Sequence, residues 1–170
     1  MKLPSYGGGL LFSGAVPQGP TEPEGANVET APLEFIRIAI ADMRFTARVE
    51  RSLSPVTCRE FCAILPFRAK LIQARWSGEA AWIPLKDFDL RVPQESATGN
   101  PDAGEILFHP ADHSECEILL PYGTSVFRCK DGPLVGNRFL TIVEGKQQLA
   151  KVGELVLRQG QQDITFSQLP

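Results

Sequence analysis

The sequence has few of the residues on which most enzyme and metal sites depend. Its 170 residues include only two histidines, two tryptophans and four cysteines. It contains no C-x-x-C pair, no G-x-S-x-G frame and no glycine-rich loop between a strand and a helix. These absences exclude the standard zinc, nucleophile-elbow and phosphate-loop patterns. Any chemistry that uses histidine must involve His109 or His113.

Concentrated positive charge and long apolar runs are also missing. The 17 Lys and Arg are scattered and the net charge is −3, so the chain has no basic run that would neutralise a line of phosphates. No window approaches the roughly 20 apolar residues of a membrane-spanning helix. The apolar run Leu10 to Phe12 after Lys2 is too short for a secretory signal. We expect a cytoplasmic protein with no nucleic-acid partner, no membrane partner and no cofactor.

The cysteines are best interpreted as small apolar residues in a reducing compartment. Cys58 and Cys62 are four residues apart on a predicted helix, where they share one face. Cys116 follows the apolar alternation of a predicted strand, and Cys129 stands alone. A disulfide or a metal site is the alternative interpretation.

The first 33 residues predict a flexible arm. They contain three consecutive glycines at Gly7–Gly9 and the run PQGPTEPEG, and they show no hydrophobic period. The short apolar cluster Leu10 to Phe12 is a candidate contact with the domain or with a second subunit, so a homodimer stays open. The domain itself is predicted to span residues 34–168.

Alternation of apolar and polar residues predicts β-strands through most of this domain. FIRIAIAD from Phe35 and RFTARVE from Arg44 predict an antiparallel hairpin with one buried face. GEILFHPADHSECEILLPYG, residues 104–123, predicts a second hairpin with Cys116, Ile118 and Leu120 on the buried face and Glu115 and Glu117 on the solvent side. Further strands are predicted at 70–76, 79–85, 125–129 and 138–145, and in ELVLRQ and DITFSQL near the end.

One clear helix interrupts the strands. Ser54 is its predicted N-cap, Pro55 suits the first helical position, and Pro66 ends it. Residues 144–153 predict a second, short helical turn, and residues 86–103 predict a long polar loop. About nine short strands with frequent turns indicate a mainly β domain, either a closed barrel or a sandwich.

Several of these features occur in the same order in the cyclophilin-like barrels. They are the opening strand pair, the S-P-x-T helix that ends in L-P-F, the W-S-G-E turn, the GEILFHP…CEILLPYG hairpin and the RFLTIVEG strand. From residue 34 to residue 166 the sequence resembles small bacterial cyclophilin-like proteins of uncharacterised function, distant relatives of the peptidyl-prolyl isomerases. The resemblance implies a closed antiparallel barrel of about eight strands with one or two short helices.

The resemblance does not extend to the isomerase residues. The isomerases carry an arginine on the strand after the first helix, a Gln-x-Phe on the central hairpin, and a Trp and a His beside an L-D-G-K turn. Arg75 lies near the first position, but Glu115-Cys116-Glu117 replaces Gln-x-Phe, and Pro133 and Arg138 replace the Trp and the His. We therefore assign no catalytic residue and expect a non-catalytic protein that binds a small metabolite or a protein partner. The alternative is a divergent isomerase or a small-amide hydrolase-associated enzyme that uses Arg75, Glu79 and His109.

The candidate ligand groove centres on the turn at Ser77-Gly78. Tryptophan and carboxylate side chains around such a turn are typical of a ligand pocket, although two tryptophans can also simply pack over a barrel end. With the cyclophilin-like register, Tyr122 and Arg138 would line the same depression, and Arg138 would suit a carboxylate or a phosphate. The full candidate set is Arg75, Trp76, Glu79, Trp82, His109, Tyr122 and Arg138.

A metal site at the central hairpin is the weaker hypothesis. Metal-ligand residue types crowd the turn between its strands, namely His109, Asp112, His113, Glu115 and Cys116. Cys116 falls in the apolar phase with Ile118, however, and the spacing matches no established zinc pattern. We therefore assign no metal.

Overall fold

The structure is a computed structural model that describes residues 32–86, 88–111 and 114–169. The predicted arm lies almost wholly outside these residues, as do Asp112 and His113. The elements in chain order are β1 (Phe35–Ile40), β2 (Met43–Val49), α1 (Pro55–Ala63), β3 (Phe67–Gln73), β4 (Gly78–Lys86), β5 (Ala97–Thr98), β6 (Glu105–His109), β7 (Cys116–Ser125), β8 (Arg128–Cys129), β9 (Gly132–Pro133), β10 (Gly136–Glu144), a 3-10 turn (Lys146–Gln148), α2 (Leu149–Gln159) and β11 (Gln162–Gln168).

Eight of these strands close into a barrel. Their order is β2-β1-β11-β3-β4-β7-β6-β10, and β10 pairs back with β2. Every one of these pairings is antiparallel, while β5 extends the edge at β10 and β8–β9 form a separate two-stranded ribbon. The prediction of a mainly β, closed antiparallel barrel of about eight strands with one or two short helices is confirmed, and the structure has eight barrel strands and two helices.

The alternating apolar residues fill the barrel. Ile36, Ile38 and Ile40 on β1 are fully buried, and Ile38 pairs with Phe45 on β2. On the central hairpin, Cys116, Ile118 and Leu120 face the same core, as the period-two pattern predicts. None of the helices in the described ranges is long and apolar enough to cross a membrane.

The helix α1 begins at the predicted place but is capped by a different side chain. Ser54 occupies the N-cap position, yet its hydroxyl donates to the carbonyl of Arg138 at 2.9 Å and makes no cap. The carboxylate of Glu95 takes this role, because it accepts from the backbone N–H of Val56 and of Thr57, each at 2.9 Å. The long loop after β4 therefore secures the start of α1.

The prediction that ELVLRQ forms a strand is wrong, because these residues belong to α2. Leu149, Val152 and Val156 are spaced by three and four residues, so a helix buries all three on one side. Gly153 allows the closest approach, since a Cβ there would lie 2.4 Å from the ring of Tyr122. Gly160 follows the last helical residue with a φ of 77°, a value that favours glycine, and the chain then enters β11.

Glu115 is exposed as predicted, but the outer face of the central hairpin is covered at Leu107, Glu117 and Leu119, contrary to the prediction of a solvent side. A second apolar cluster packs outside the barrel against β4, β6 and β7, and its buried members are Ala74, Ala80, Leu107, Leu119, Phe127 and Leu134. Glu117 lies on this face and is only 6% exposed. Alternation predicts which residues share a face. It does not predict what covers that face, because the covering residues come from a later segment of the chain, residues 126–135.

Candidate functional site

A cavity of about 370 Å³ lies on the outer face of the barrel. Its floor comes from β3, β4 and β7, and its walls come from the turn at 74–77, the loop at 114–115 and residues 127–131. The volume falls within the usual range of small-molecule sites, about 300–1,000 Å³. We call this space the outer cavity.

A cross-strand row of large apolar side chains forms the floor of the outer cavity. Ile72 on β3 pairs with Trp82 on β4, and Trp82 pairs with Leu119 on β7. Directly paired residues in antiparallel strands place their side chains about 5 Å apart on the same face. The floor is therefore set by the rigid barrel.

The neighbouring row carries polar groups. On its three strands, Pro84 pairs with Glu117, and Glu117 pairs with His109. His109 is 1% exposed, and its Nδ1–H donates to the carbonyl of Val135 at 2.7 Å. Its ring also meets the ring of Phe127 edge-on, with centroids 5.8 Å apart. His109 thus supports the segment that encloses the outer cavity.

That segment, residues 126–135, is held by backbone and serine hydrogen bonds, and we call it the cover segment. The hydroxyl of buried Ser77 donates to the Arg128 carbonyl at 3.0 Å and accepts from the Arg128 N–H at 3.1 Å. The Val126 N–H donates to the Ser77 carbonyl, and the Phe127 N–H donates to the Gly99 carbonyl. These bonds fix the cover segment against the turn between β3 and β4.

Glu117 is the most perturbed acid of the described residues. Burial, and secondly repulsion from Glu115, raise the pKa of Glu117 to about 7 from an ordinary 4.5. No hydrogen-bond donor or cation within the described ranges pairs with its carboxyl group. A buried carboxyl without a protein partner that lines a cavity is a group available to a ligand.

The rim of the outer cavity carries charges of both signs. Arg75, Arg128 and Lys130 are exposed cations, and Glu115 and Asp131 are exposed acids. The Arg75 guanidinium lies 5.3 Å from the ring centroid of Trp76, within cation–π range. The rim is therefore mixed in charge. Among the described lining residues, Glu117 is the single ionisable group that is buried.

Comparison with known proteins places the chain in a family. Residues 36–168 match the family model described as "Protein of unknown function (DUF3830)". The chain belongs to the DUF3830 family. No curated protein matches it in sequence.

Two solved structures share the fold of this DUF3830 protein. A structure of McbB in complex with tryptophan aligns with a TM-score of 0.58 and 13% identity, over 78% of this chain and 44% of McbB. The solution structure of the hypothetical protein AF2241 from Archaeoglobus fulgidus aligns with a TM-score of 0.51 and 12% identity, over 84% of this chain and 99% of AF2241. The chain thus spans less than half the length of McbB, and identities this low show the fold alone.

The structure brings three of the predicted site residues of the DUF3830 protein together. Arg75, Trp76 and Trp82 all line the outer cavity. His109 lies behind it, against the cover segment.

The other three predicted site residues make contacts elsewhere. Glu79 accepts from the backbone N–H of Thr124 at 2.7 Å, across the β4–β7 pair. Tyr122 donates to the Gln73 side chain at 2.8 Å, and Arg138 forms an ion pair with Glu105. None of these three lines the outer cavity.

Glu117 and residues 127–131 were not among the predicted site residues. Alternation placed Glu117 on a solvent side, and the glycine- and proline-containing run KDGPLVGN indicated only a turn. A cue was present, because a glutamate between two apolar β-residues in an otherwise apolar run faces either solvent or a site. Sequence alone could not separate these two outcomes.

The described part of the chain does not bring the candidate metal ligands of the central hairpin together at one point. No group of three or more His, Cys, Asp or Glu there could hold a metal ion. Cys116 faces the core, and burial, with a smaller contribution from Asp89, raises the pKa of its thiol to about 12. Asp112 and His113 lie outside the described residues.

Proposed function

We propose that this DUF3830 protein is a bacterial, cytoplasmic, cyclophilin-like barrel that binds a small organic molecule in the outer cavity and does not catalyse a reaction. The observation that carries the proposal is the lining of that cavity. Two tryptophans and a buried carboxyl, Glu117, which has no partner among the residues that the structure describes, surround a space of about 370 Å³. Apolar walls with few polar groups are the common composition of small-molecule sites.

The aromatic side chains argue against a purely structural role for the cavity. Trp76 is 54% exposed, so most of its indole is not used in packing. A structural tryptophan at a barrel surface normally buries more of its ring, because burial of aromatic area is what stabilises it. An exposed Trp76 beside a half-buried Trp82 leaves aromatic surface for a ligand.

The proposal that the protein is not an isomerase rests on the positions that replace the isomerase residues. Glu115 and Glu117 stand where the isomerases carry glutamine and phenylalanine. Arg138 is engaged with Glu105, and Pro133 ends the ribbon β8–β9. These residues support a binding protein rather than a prolyl isomerase.

A thermal-shift screen of small-molecule fragments tests the proposal. Fragments that raise the melting temperature of wild type should raise that of Trp76→Ala much less, because the indole forms part of the lining. The matched control is Phe35→Ala, which removes a 38% exposed aromatic residue from β1, outside the lining. Equal shifts in wild type, Trp76→Ala and Phe35→Ala would contradict the proposal.

A second candidate function, an acid–base enzyme, is favoured by one observation. A carboxyl with a pKa of about 7 both donates and accepts protons at neutral pH, as a general acid or base must. A divergent prolyl isomerase or a small-amide hydrolase-associated activity would then use Glu117. The test is turnover of a proline peptide or a small amide. Turnover that is lost in Glu117→Gln, and whose pH profile inflects near the pKa of Glu117, would establish this function. Absence of turnover in wild type would exclude it for those substrates.

A further inference from the structure

We propose that the ligand of the outer cavity is a small organic cation, a protonated primary or secondary amine on an apolar or aromatic body, with its ammonium group bound to Glu117. This inference rests on the proposed ligand-binding function and specifies the ligand's chemical class. It follows from the placement of Glu117, from the charges around it and from the aromatic walls.

The first step concerns the buried carboxyl. Glu117 is 6% exposed and lines the cavity, and nothing in the described ranges donates a hydrogen bond to it. A buried carboxylate without a partner costs several kcal/mol in a protein, so such groups either bind a proton or meet a cation. A ligand ammonium group would supply both the charge and the hydrogen-bond donors.

The second step concerns the charged groups around Glu117. Glu115, two residues before Glu117, lies close enough to repel its carboxylate. The buried His109 on β6 is the direct cross-strand neighbour of Glu117. His109 directs its Nδ1–H to Val135, and the other charged residues among the described lining lie on the rim. These rim groups are Arg75, Arg128, Lys130 and Asp131, all exposed. Exposed charges are screened by water and salt, so the buried acid dominates the field deep in the cavity.

The third step concerns the walls. The faces of Trp76 and Trp82 attract cations, because the ring quadrupole is negative above and below the plane. The Arg75 guanidinium already lies over Trp76 at 5.3 Å. The floor row from Ile72 to Leu119 offers an apolar surface for the body of the ligand. Aromatic faces beside one carboxylate are the elements that proteins use to bind ammonium ligands.

The proposal has a definite pH dependence. Glu117 must be ionised to bind an ammonium group, and its raised pKa means that a large fraction is protonated in the empty cavity at neutral pH. Affinity for an amine should therefore rise by up to about tenfold per pH unit below the pKa of Glu117 and level off above it, with proton release on binding. A neutral Glu117 that donated to a ligand oxygen would give the opposite trend.

The experiment compares three probes of similar shape. 2-Phenylethylamine, 2-phenylethanol and 3-phenylpropionate present a cation, a neutral hydroxyl and an anion on the same aromatic body. Binding is followed by intrinsic tryptophan fluorescence, because both tryptophans of the chain line the outer cavity. We expect the amine to bind at least about tenfold more tightly than the alcohol, which is about 1.4 kcal/mol, and the carboxylate to bind most weakly.

Two variants assign this preference to Glu117. Glu117→Gln should reduce the affinity for the amine to that for the alcohol and leave the alcohol unchanged. The matched control Glu115→Gln, at an exposed acid two residues away, should keep most of the preference. A preference for the amine that survives in Glu117→Gln would overturn the inference.

The outcomes separate this inference from the proposed function. Equal or tighter binding of the alcohol or the carboxylate would overturn the cation class while leaving a small-molecule site in place. No fluorescence response to any of the three probes would contradict the cation class, and the fragment screen described above would then decide the proposed function independently.

Discussion

Glu117 on β7 lies directly opposite His109 on β6, and both side chains are buried on the outer face of the barrel. His109 secures the cover segment through Val135, whereas Glu117 lines the cavity that this segment helps to enclose. Two polar residues of one cross-strand pair thus have different roles. One role is structural, and the other leaves a carboxyl group available to a ligand.

The first prediction concerns stability against pH. The pKa of Glu117 is about 7 when folded and 4.5 ordinarily, so the folded state holds a proton that the unfolded state releases. Stability should therefore fall by roughly 3 kcal/mol as the pH rises from about 4 to about 8. Glu117→Gln should remove this loss, and Glu115→Gln should largely keep it. The measurement is the free energy of unfolding in urea at several pH values, and identical pH slopes in wild type and Glu117→Gln would refute the assignment.

The second prediction concerns the cap of α1. Burial alone would raise the pKa of Glu95, but hydrogen bonds from Thr57 and Val56 outweigh burial and lower it. Glu95→Ala should cost about 1–2 kcal/mol at neutral pH, and the loss should shrink as acid protonates the wild-type carboxyl. Glu60→Ala, at an exposed surface pair with Arg59, is the control and should change stability by less than about 0.5 kcal/mol. Chemical denaturation at neutral and acidic pH gives both numbers.

The third prediction concerns cysteine reactivity. Burial raises the pKa of the Cys58 and Cys116 thiols to about 12, and both are fully covered. Cys129 is partly exposed and lines the outer cavity. Alkylation by iodoacetamide followed by mass spectrometry should modify Cys129 well before Cys58 or Cys116. A bound probe should slow modification of Cys129 without affecting the half-buried Cys62 of α1, and early modification of Cys58 would contradict the described packing.

The fourth prediction concerns the anchor of the cover segment. Ser77→Ala removes both hydrogen bonds between the Ser77 hydroxyl and the backbone of Arg128. It should cost about 1–3 kcal/mol, because the part-buried carbonyl and N–H of Arg128 lose their partner. It should also shift tryptophan emission to longer wavelength as water enters the outer cavity. Ser52→Ala, at an exposed serine, should do neither, and an unchanged emission spectrum in Ser77→Ala would argue against this anchor.

Local pattern predicted most of the barrel. β1 and β2 alternate apolar and polar residues, whereas β6 and β7 carry apolar residues on both faces. The strand prediction failed at residues 154–159, because ELVLRQ is compatible with the apolar spacing of a strand and with that of a helix. The packing of α2 on Tyr122 favours the helix. Local pattern also predicted the wrong cap for α1. The Ser54 hydroxyl donates to the carbonyl of Arg138 on β10, and Glu95, which is distant in sequence, caps the helix instead.

The candidate site was only partly predictable for the same reason. Arg75, Trp76 and Trp82 are close together in sequence around one turn, so local reasoning could group them. Glu117 and the cover segment join them only through long-range pairing, which no local pattern encodes.

Ligand binding in the outer cavity is tested most directly by the nitrogen–proton correlation spectrum of the two tryptophan indoles during a fragment titration. Both indoles line the outer cavity, so we expect bound fragments to move these two signals, saturably and together. Fragments that bind the protein while both indole signals stay fixed would show that they bind elsewhere and would rule out this site.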